Sequence, residues 1–238
     1  MKNVIKFRLY ASKSQKRELF RQFAKHCELY NYCRDERIKT YELTKSSPSV
    51  IDQIKNNVSK FKDRTNVSSL QQTVRRVDKA FQSFFRRVKL GQAGFPRFKK
   101  VLNSIEFIAG DGASMKVCKH TNIKAGKLYI QHVGKIKTVV HRELPKFYRV
   151  IVKYSNGDFY VSFVVDADIK TLEPSNKAIG LDFGLKTFVT TSDGNGIESP
   201  KFLKQNLKRL SKIISKRDKL AKGTKKRKHK SRIVQKIF

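Results

Sequence analysis

Residues 177–194, KAIGLDFGLKTFVTTSDG, set one carboxylate, Asp182, in an apolar alternating stretch, followed by a glycine turn and a second alternating stretch that closes on Asp-Gly. An unpaired charge is costly inside a buried strand, so the pattern predicts a partner for Asp182 such as a metal ion. Further ligands are scarce. Of the 56 residues after Asp182, only Asp193, Glu198 and Asp218 are acidic, and sixteen of the last thirty-eight are Lys or Arg. Asp193 falls at a turn, Glu198 on a polar loop and Asp218 on a basic helix, which predicts no convergence on Asp182. Cys27, Cys33 and Cys118 are odd in number and lack C-x-x-C spacing. They read as buried or idle thiols in a reducing compartment, and Cys118 with His120 is too small a set for zinc.

The rest of the chemistry is electrostatic. With 54 Lys and Arg against 19 Asp and Glu, the formal charge is +35 on 238 residues. Self-repulsion on that scale favours a phosphate-rich partner. Seventeen Phe and 39% hydrophobic residues are enough to build cores, which excludes a wholly disordered basic tail. No apolar run is long enough for a membrane span, and Lys2, Lys6 and Arg8 interrupt any secretory core.

The elements that must carry these charges follow from periodicity. Ile5, Phe7 and Leu9 alternate with Lys6 and Arg8, predicting a half-exposed strand, and Ser12-x-x-Gln15 predicts a capping box opening a helix to about Leu43. Residues 48–66 read as a short helix plus loop. Ser68-x-x-Gln71 predicts a second capping box, ahead of a helix with Leu70, Val74, Val77, Phe81, Phe84 and Val88 on one face. Its other face carries Gln72, Arg75, Arg76, Lys79, Ser83 and Arg86 without an acidic partner, which favours contact with phosphate over a merely solvated face. Gly91 and Gly94 end the helix. In the GFPRFKK of 94–100, Arg97, Lys99 and Lys100 alternate with aromatics that either stack on bases or fill a core; the pattern leaves both open. From Ile105 to Val165 short alternating runs predict strands, with Asn156-Gly157 a hairpin turn, so that a small barrel is interrupted by the helices. Residues 170–175 read as a linker. After Pro200, Leu203, Leu207, Leu210 and Ile214 predict a helix leading into the basic 216–232.

Six segments in order, KFRLYASKSQ (6–15), YNYCRDERIKTYE (30–42), SLQQTVRRVDKAFQSFFR (69–86), GFPRFKK (94–100), GLDFGLKTFVTTSDG (180–194) and IESPKFLKQNLKRLSKIISKR (197–217), together with the Asn-Gly hairpin, resemble the TnpB nucleases of bacterial transposons, relatives of type V CRISPR effectors. The resemblance implies an α+β multidomain fold: a wedge-type β-barrel (1–10 and 95–170) holding a helical recognition insertion (11–94), a linker at 171–176, and the first part of an RNase H-like RuvC domain with a basic helix (177–238). It implies a guide RNA and target DNA as partners, no membrane, and a cytoplasmic, nucleoid-associated protein. Asp182 matches the first catalytic, metal-binding carboxylate of that family. Carboxylates converging on paired Mg²⁺ ions activate water for attack on a phosphodiester, and one carboxylate cannot hold the ions alone. Gln71 matches a position that contacts the DNA motif beside the target, although its amide could instead only close the capping box. Nucleic-acid contacts are expected at Gln71, Gln72, Arg75, Arg76, Lys79, Arg86, Arg97, Lys99 and Lys100, and on the basic helix at Lys208, Arg209, Lys212, Lys216 and Arg217.

The departures from the family matter as much. Its next catalytic Glu, its C-x-x-C zinc ribbon and its final Asp lie beyond the point equivalent to Phe238, and SRIVQKIF stops within an apolar-periodic helix. The expectation is a chain with an incomplete nuclease centre, without zinc, using Mg²⁺ only when completed by a C-terminal segment, supplied separately or otherwise. The competing readings are a non-catalytic RNA-guided DNA-binding repressor, an actin-like ATPase that uses DFGLK as a phosphate hairpin, and a ribosome-associated basic protein.

Overall fold

The computed structural model describes residues 2–92, 94–108, 115–119 (backbone only), 126–145, 147–166 and 177–237. His120 and the linker at 170–175 lie outside them. The chain divides into two compact units, Met1–Asp168 and Ile169–Phe238.

The first unit opens with β1 (Lys2–Tyr10), whose alternation buries Ile5, Phe7 and Leu9 and exposes Lys6 and Arg8. Then come α1 (Lys13–Thr44), α2 (Val50–Phe61) and α3 (Val67–Lys89), followed by β2 (Ser104–Ile108), β3 (Met115–Lys119), β4 (Gly126–Ile130), β5 (Gly134–Thr138), β6 (Phe147–Ser155) and β7 (Asp158–Asp166). These seven strands form one antiparallel sheet in the order β2-β6-β7-β1-β5-β4-β3. The β6–β7 turn has positive φ at both Asn156 (51°) and Gly157 (90°), the conformation that Asn-Gly favours. The expected barrel is an open, curled half-barrel: its edges, β2 and β3, do not pair with one another. Leu19 and Phe23 of α1 join the core on the inner face, so a helix closes the hollow rather than more strands.

The Ser12–Gln15 capping box forms as expected, with the Ser12 hydroxyl accepting from Gln15 N and the Gln15 amide accepting from Ser12 N. Further along α1, Cys27, Leu29, Tyr30 and Cys33 enter a second core with Val58 of α2 and Leu70, Val74, Val77 and Phe81 of α3. One helix thus belongs to both cores. Burial pushes the Cys33 thiol up to about 12 and raises that of Cys27 less, which leaves both inert.

The second unit holds a three-stranded antiparallel sheet, β8 (Leu181–Asp182), β9 (Thr187–Thr191) and β10 (Gly196–Glu198), with β9 in the middle. Two helices follow, α4 (Phe202–Asp218) and α5 (Lys225–Ile237), so that the basic stretch 216–232 is shared between the end of α4, a turn and α5. The residues between them turn back. The Arg227 guanidinium donates to the carbonyls of Leu220 (2.7 Å) and Arg217 (3.2 Å), satisfying acceptors that the end of α4 leaves open. No helix among the described residues is long and apolar enough to cross a membrane.

Candidate nucleic-acid interface and the Asp182 hairpin

The α3 face begins differently from its sequence signature. Asn66, extended at φ −73° and ψ 126°, caps the helix by accepting from Ser69 N at 2.9 Å. Ser68 lies inside the first turn, its hydroxyl buried without a partner among the described residues, so the Ser68–Gln71 capping box does not form. Asn matches Ser as a cap, and the choice falls to the residue with the extended backbone. Gln71 is therefore released from a capping role and sits half-buried in the second turn, beside half-buried Gln72. Arg75, Lys79 and Arg86 are exposed. Arg76 is not free: its guanidinium donates to the Ser104 carbonyl at 3.1 Å and ties α3 to β2.

Beneath this face lies His26, fully buried. Its Nδ1 is 2.6 Å from the Thr73 hydroxyl and its Nε2 3.2 Å from the Ser69 hydroxyl, which itself donates to the Asn66 carbonyl. Ser69 then accepts from Nε2–H, and the Thr73 hydroxyl, which also lies 3.4 Å from the Ser69 carbonyl, can donate to Nδ1 of a neutral ring. Burial, and secondarily the charge of Arg76, pull the His26 pKa down to about 3.

Residues 94–100 form a strap held from both sides. Arg87 donates to the Gly94 carbonyl at 2.6 Å, and at φ 144° Gly94 takes a conformation that other residues avoid. Arg34 donates to the Pro96 carbonyl at 2.8 Å, and the Asn31 amide pairs with both backbone groups of Lys99 at 2.9 Å. The two aromatics differ in their surroundings, and both are partly exposed, Phe95 at 46%. Phe95 packs against Phe81 and Phe84, with centroids 5.8 and 5.0 Å away. Phe98 is 58% exposed and makes no ring contact among the described residues. It stands between exposed Arg97, Lys99 and Lys100 on a fixed backbone. Asn31 and Arg34 escaped the sequence reading because their partners lie 68 and 62 residues away.

The Asp182 strand departs from expectation. It has two residues and one neighbour, Asp182 lying opposite Thr190, and the carboxylate is exposed, as are Leu181 (54%) and Phe183 (68%). Burial therefore creates no demand for a counter-ion, because no described element covers either face of this short edge. The geometry holding it is specific. Gly180 N donates to Ser192 Oγ at 3.1 Å, Ser192 N donates to the Gly180 carbonyl at 2.9 Å, and a Cβ at Gly184 would stand 2.9 Å from the Thr187 carbonyl. Gly184→Ala is accordingly expected to cost the second unit about 1–3 kcal/mol. Hydrogen exchange should show faster exchange at 187–191 with the first unit unchanged; unchanged protection there would overturn this account.

Glu198 lies on β10 rather than a loop, with β9 between it and Asp182. Asp218 ends α4, bound to Arg217 at 2.9 Å and Arg227 at 3.1 Å, and these partners lower its pKa. Arg217, expected to meet nucleic acid, is thereby engaged, whereas Lys208, Arg209, Lys212 and Lys216 are exposed. Among the described residues no group of three or more His, Cys, Asp or Glu is placed to hold a metal ion. The α4–α5 pair (202–237) carries fifteen Lys and Arg and one acidic residue, Asp218.

Residues 161–238 match the family OrfB_IS605, described as "Probable transposase". The chain is 27% identical over 146 residues to the "Putative RNA-guided DNA endonuclease InsQ" of Escherichia coli K12, an alignment covering 60% of this chain and 34% of that protein. It is 24% identical over 254 residues to a protein of the same description, without the InsQ name, from Streptomyces pristinaespiralis, covering 100% of this chain and 60% of the relative. A solved Cas12f1–sgRNA–target DNA complex matches 99% of this chain and 65% of the solved chain at a TM-score of 0.44 and 13% identity. The chain thus spans about a third and three-fifths of the lengths of the two curated relatives. Residues 161–238 thus resemble the OrfB_IS605 transposases, and the chain is similar to two curated proteins described as putative RNA-guided DNA endonucleases.

Proposed function

We propose that the chain is the RNA-guided DNA-binding part of a TnpB-type endonuclease of a transposable element. The observation that carries this reading is the transposase match across 161–238, which takes in both the Asp182 hairpin and the basic α4–α5 pair. In this reading the seven-stranded sheet is the wedge-type barrel, α1 to α3 are the recognition insertion, and the second unit is the start of a RuvC domain. Guide RNA and target DNA meet the exposed cations of α3, the strap and α4, and Gln71, free of capping, reads the DNA motif beside the target.

Asp182 is the proposed catalytic carboxylate, with Mg²⁺ the ion expected in a complete centre. The described residues do not fit such a centre, because Asp182 has no second carboxylate beside it and no metal-sized cluster forms. No catalytic step is assigned to them alone. That same observation favours the second reading, a non-catalytic RNA-guided binder that occupies DNA without cutting.

One experiment separates the two. Residues 1–238 with guide RNA and Mg²⁺ should leave DNA uncut, and fusion to the C-terminal part of the Streptomyces relative should produce guided cutting. Asp182→Ala in the fusion should abolish cutting and spare RNA and DNA binding, since an exposed side chain on an edge strand supports no core. Cutting that survives Asp182→Ala would mean that the active site lies elsewhere. An inactive fusion that still binds guide and target would support the binder.

A further inference from the structure

On the solvent side of the first unit's sheet, β1, β5 and β4 lie side by side, and their register puts three side chains in one row. Tyr10 is opposite Lys137, and Lys137 is opposite Lys127. Because successive side chains alternate between faces, Arg8 shares this side with Tyr10, and Lys135 with Lys137. All five are exposed, while Leu9, Leu128 and Ile136 on the other face are buried. The first turn of α1 forms the opposite wall of an open groove and contributes Lys16. That wall is fixed to the sheet, since the Gln15 amide donates to the Lys135 carbonyl at 2.9 Å.

The charges here are arranged against the stability of the free protein. Like charges directly opposite one another weaken a strand pair. Lys127 and Lys137 are such a pair, and neither they nor Lys16 and Lys135 have a carboxylate within ion-pairing distance among the described residues. Asp158, the one acidic residue lining the groove among the described residues, is bound to Arg8 at 2.8 Å. The lysines recur at strand spacings on the order of 5–7 Å, which suits successive phosphates of an extended strand. Tyr10, 47% exposed, offers a ring face at the end of the row, and the Arg8 guanidinium lies 5.1 Å from its centroid. Cations repeated along a groove beside an aromatic plane suit a polynucleotide better than a lone phosphate. The ring can be used only by a base that is not paired.

We propose that this groove binds a single-stranded polynucleotide segment, with Lys16, Lys127, Lys135 and Lys137 on neighbouring phosphates and a base stacked on Tyr10. The proposal rests on the preceding functional reading only in that the chain meets nucleic acid.

The test uses the 238-residue chain and fluorescence anisotropy with labelled 12-nucleotide oligouridylate, 12-nucleotide oligothymidylate and a 12-base-pair DNA duplex. Lys127→Ala/Lys137→Ala should weaken single-strand binding roughly 10-fold or more and reduce the slope of log K against log salt by about 1.4. Its thermal stability should stay level or rise, because a like-charge pair is gone. Tyr10→Leu should weaken the same binding by about 5- to 150-fold without changing the slope, and Tyr10→Phe should restore it. A loss confined to oligouridylate identifies the strand as RNA and one confined to oligothymidylate identifies it as DNA; either supports the site. Unchanged single-strand binding in both variants overturns it, as does a loss equal for the duplex with Tyr10→Leu silent. If guided cutting fails while these losses occur, the groove stands and the endonuclease reading falls; if the wild-type chain binds none of the probes, both fall.

Discussion

Raising salt from 50 to 200 mM is expected to weaken binding of this chain to duplex DNA by about 10³–10⁵-fold. The motivation is the formal charge of +35, now localised: exposed Arg75, Lys79 and Arg86 on α3, Arg97, Lys99 and Lys100 on the strap, and Lys208, Arg209, Lys212 and Lys216 on α4. Each cation that neutralises a phosphate releases counterions. With on the order of 6–10 phosphates engaged, log K falls against log salt with a slope of about −0.9 per phosphate. Charge removal at one exposed position should reduce the slope by about one contact, whereas Arg76→Ala and Arg217→Ala should leave it nearly unchanged, because both guanidiniums are engaged within the protein. Titrations at four or five salt concentrations measure this. A slope near zero removes the electrostatic basis of the functional reading.

Acidification is expected to remove about 5 kcal/mol of stability from the first unit between pH 6.5 and pH 3. The fold holds His26 neutral, with its pKa at about 3 against an ordinary 6.5. In that window the unfolded chain binds a proton that the folded chain refuses. Stability is therefore fully present above pH 6.5 and declines by about 1.4 kcal/mol per unit as the pH falls toward 3. Glu18, held below its usual value chiefly by a hydrogen bond from Arg21, adds a loss of the same sign below its unfolded pKa of 4.5. A domain at the low end of the usual range, about 5 kcal/mol, has little left near pH 4. Urea titrations at pH 7, 6, 5 and 4 give the slope, and the imidazole resonances of His26 should stay those of a neutral ring until the unit unfolds. Equal stability at pH 7 and pH 5, or a protonated ring in the folded protein at pH 5, would show the wrong environment for His26.

What could be read from the sequence was local. Alternation placed β1, β6 and β7, the Asn-Gly pair placed their hairpin, and Ser12–Gln15 placed the start of α1, since each depends on residues within a turn of one another. The same Ser-x-x-Gln pattern failed at Ser68 because Asn66, two residues earlier, takes the extended backbone that a cap requires. The candidate site was less legible. Whether Asp182 is buried depends on what covers its strand, and residues 179–183 cannot specify that. The strap's anchors, Asn31 and Arg34, and the row Tyr10–Lys137–Lys127 are products of tertiary pairing. The charge of each residue was plain from the start; which charges were already spoken for was not.

Because α1 runs unbroken through both cores of the first unit, it acts as a ruler. Gln15, at the groove, and Asn31, under the strap, are sixteen residues apart on one rigid rod, about 24 Å at 1.5 Å per residue. That span equals about seven steps of a stacked strand at 3.4 Å. A polynucleotide laid along α1 must exceed this length to touch both places at once, so the helix converts a number of nucleotides into a choice between one grip and two.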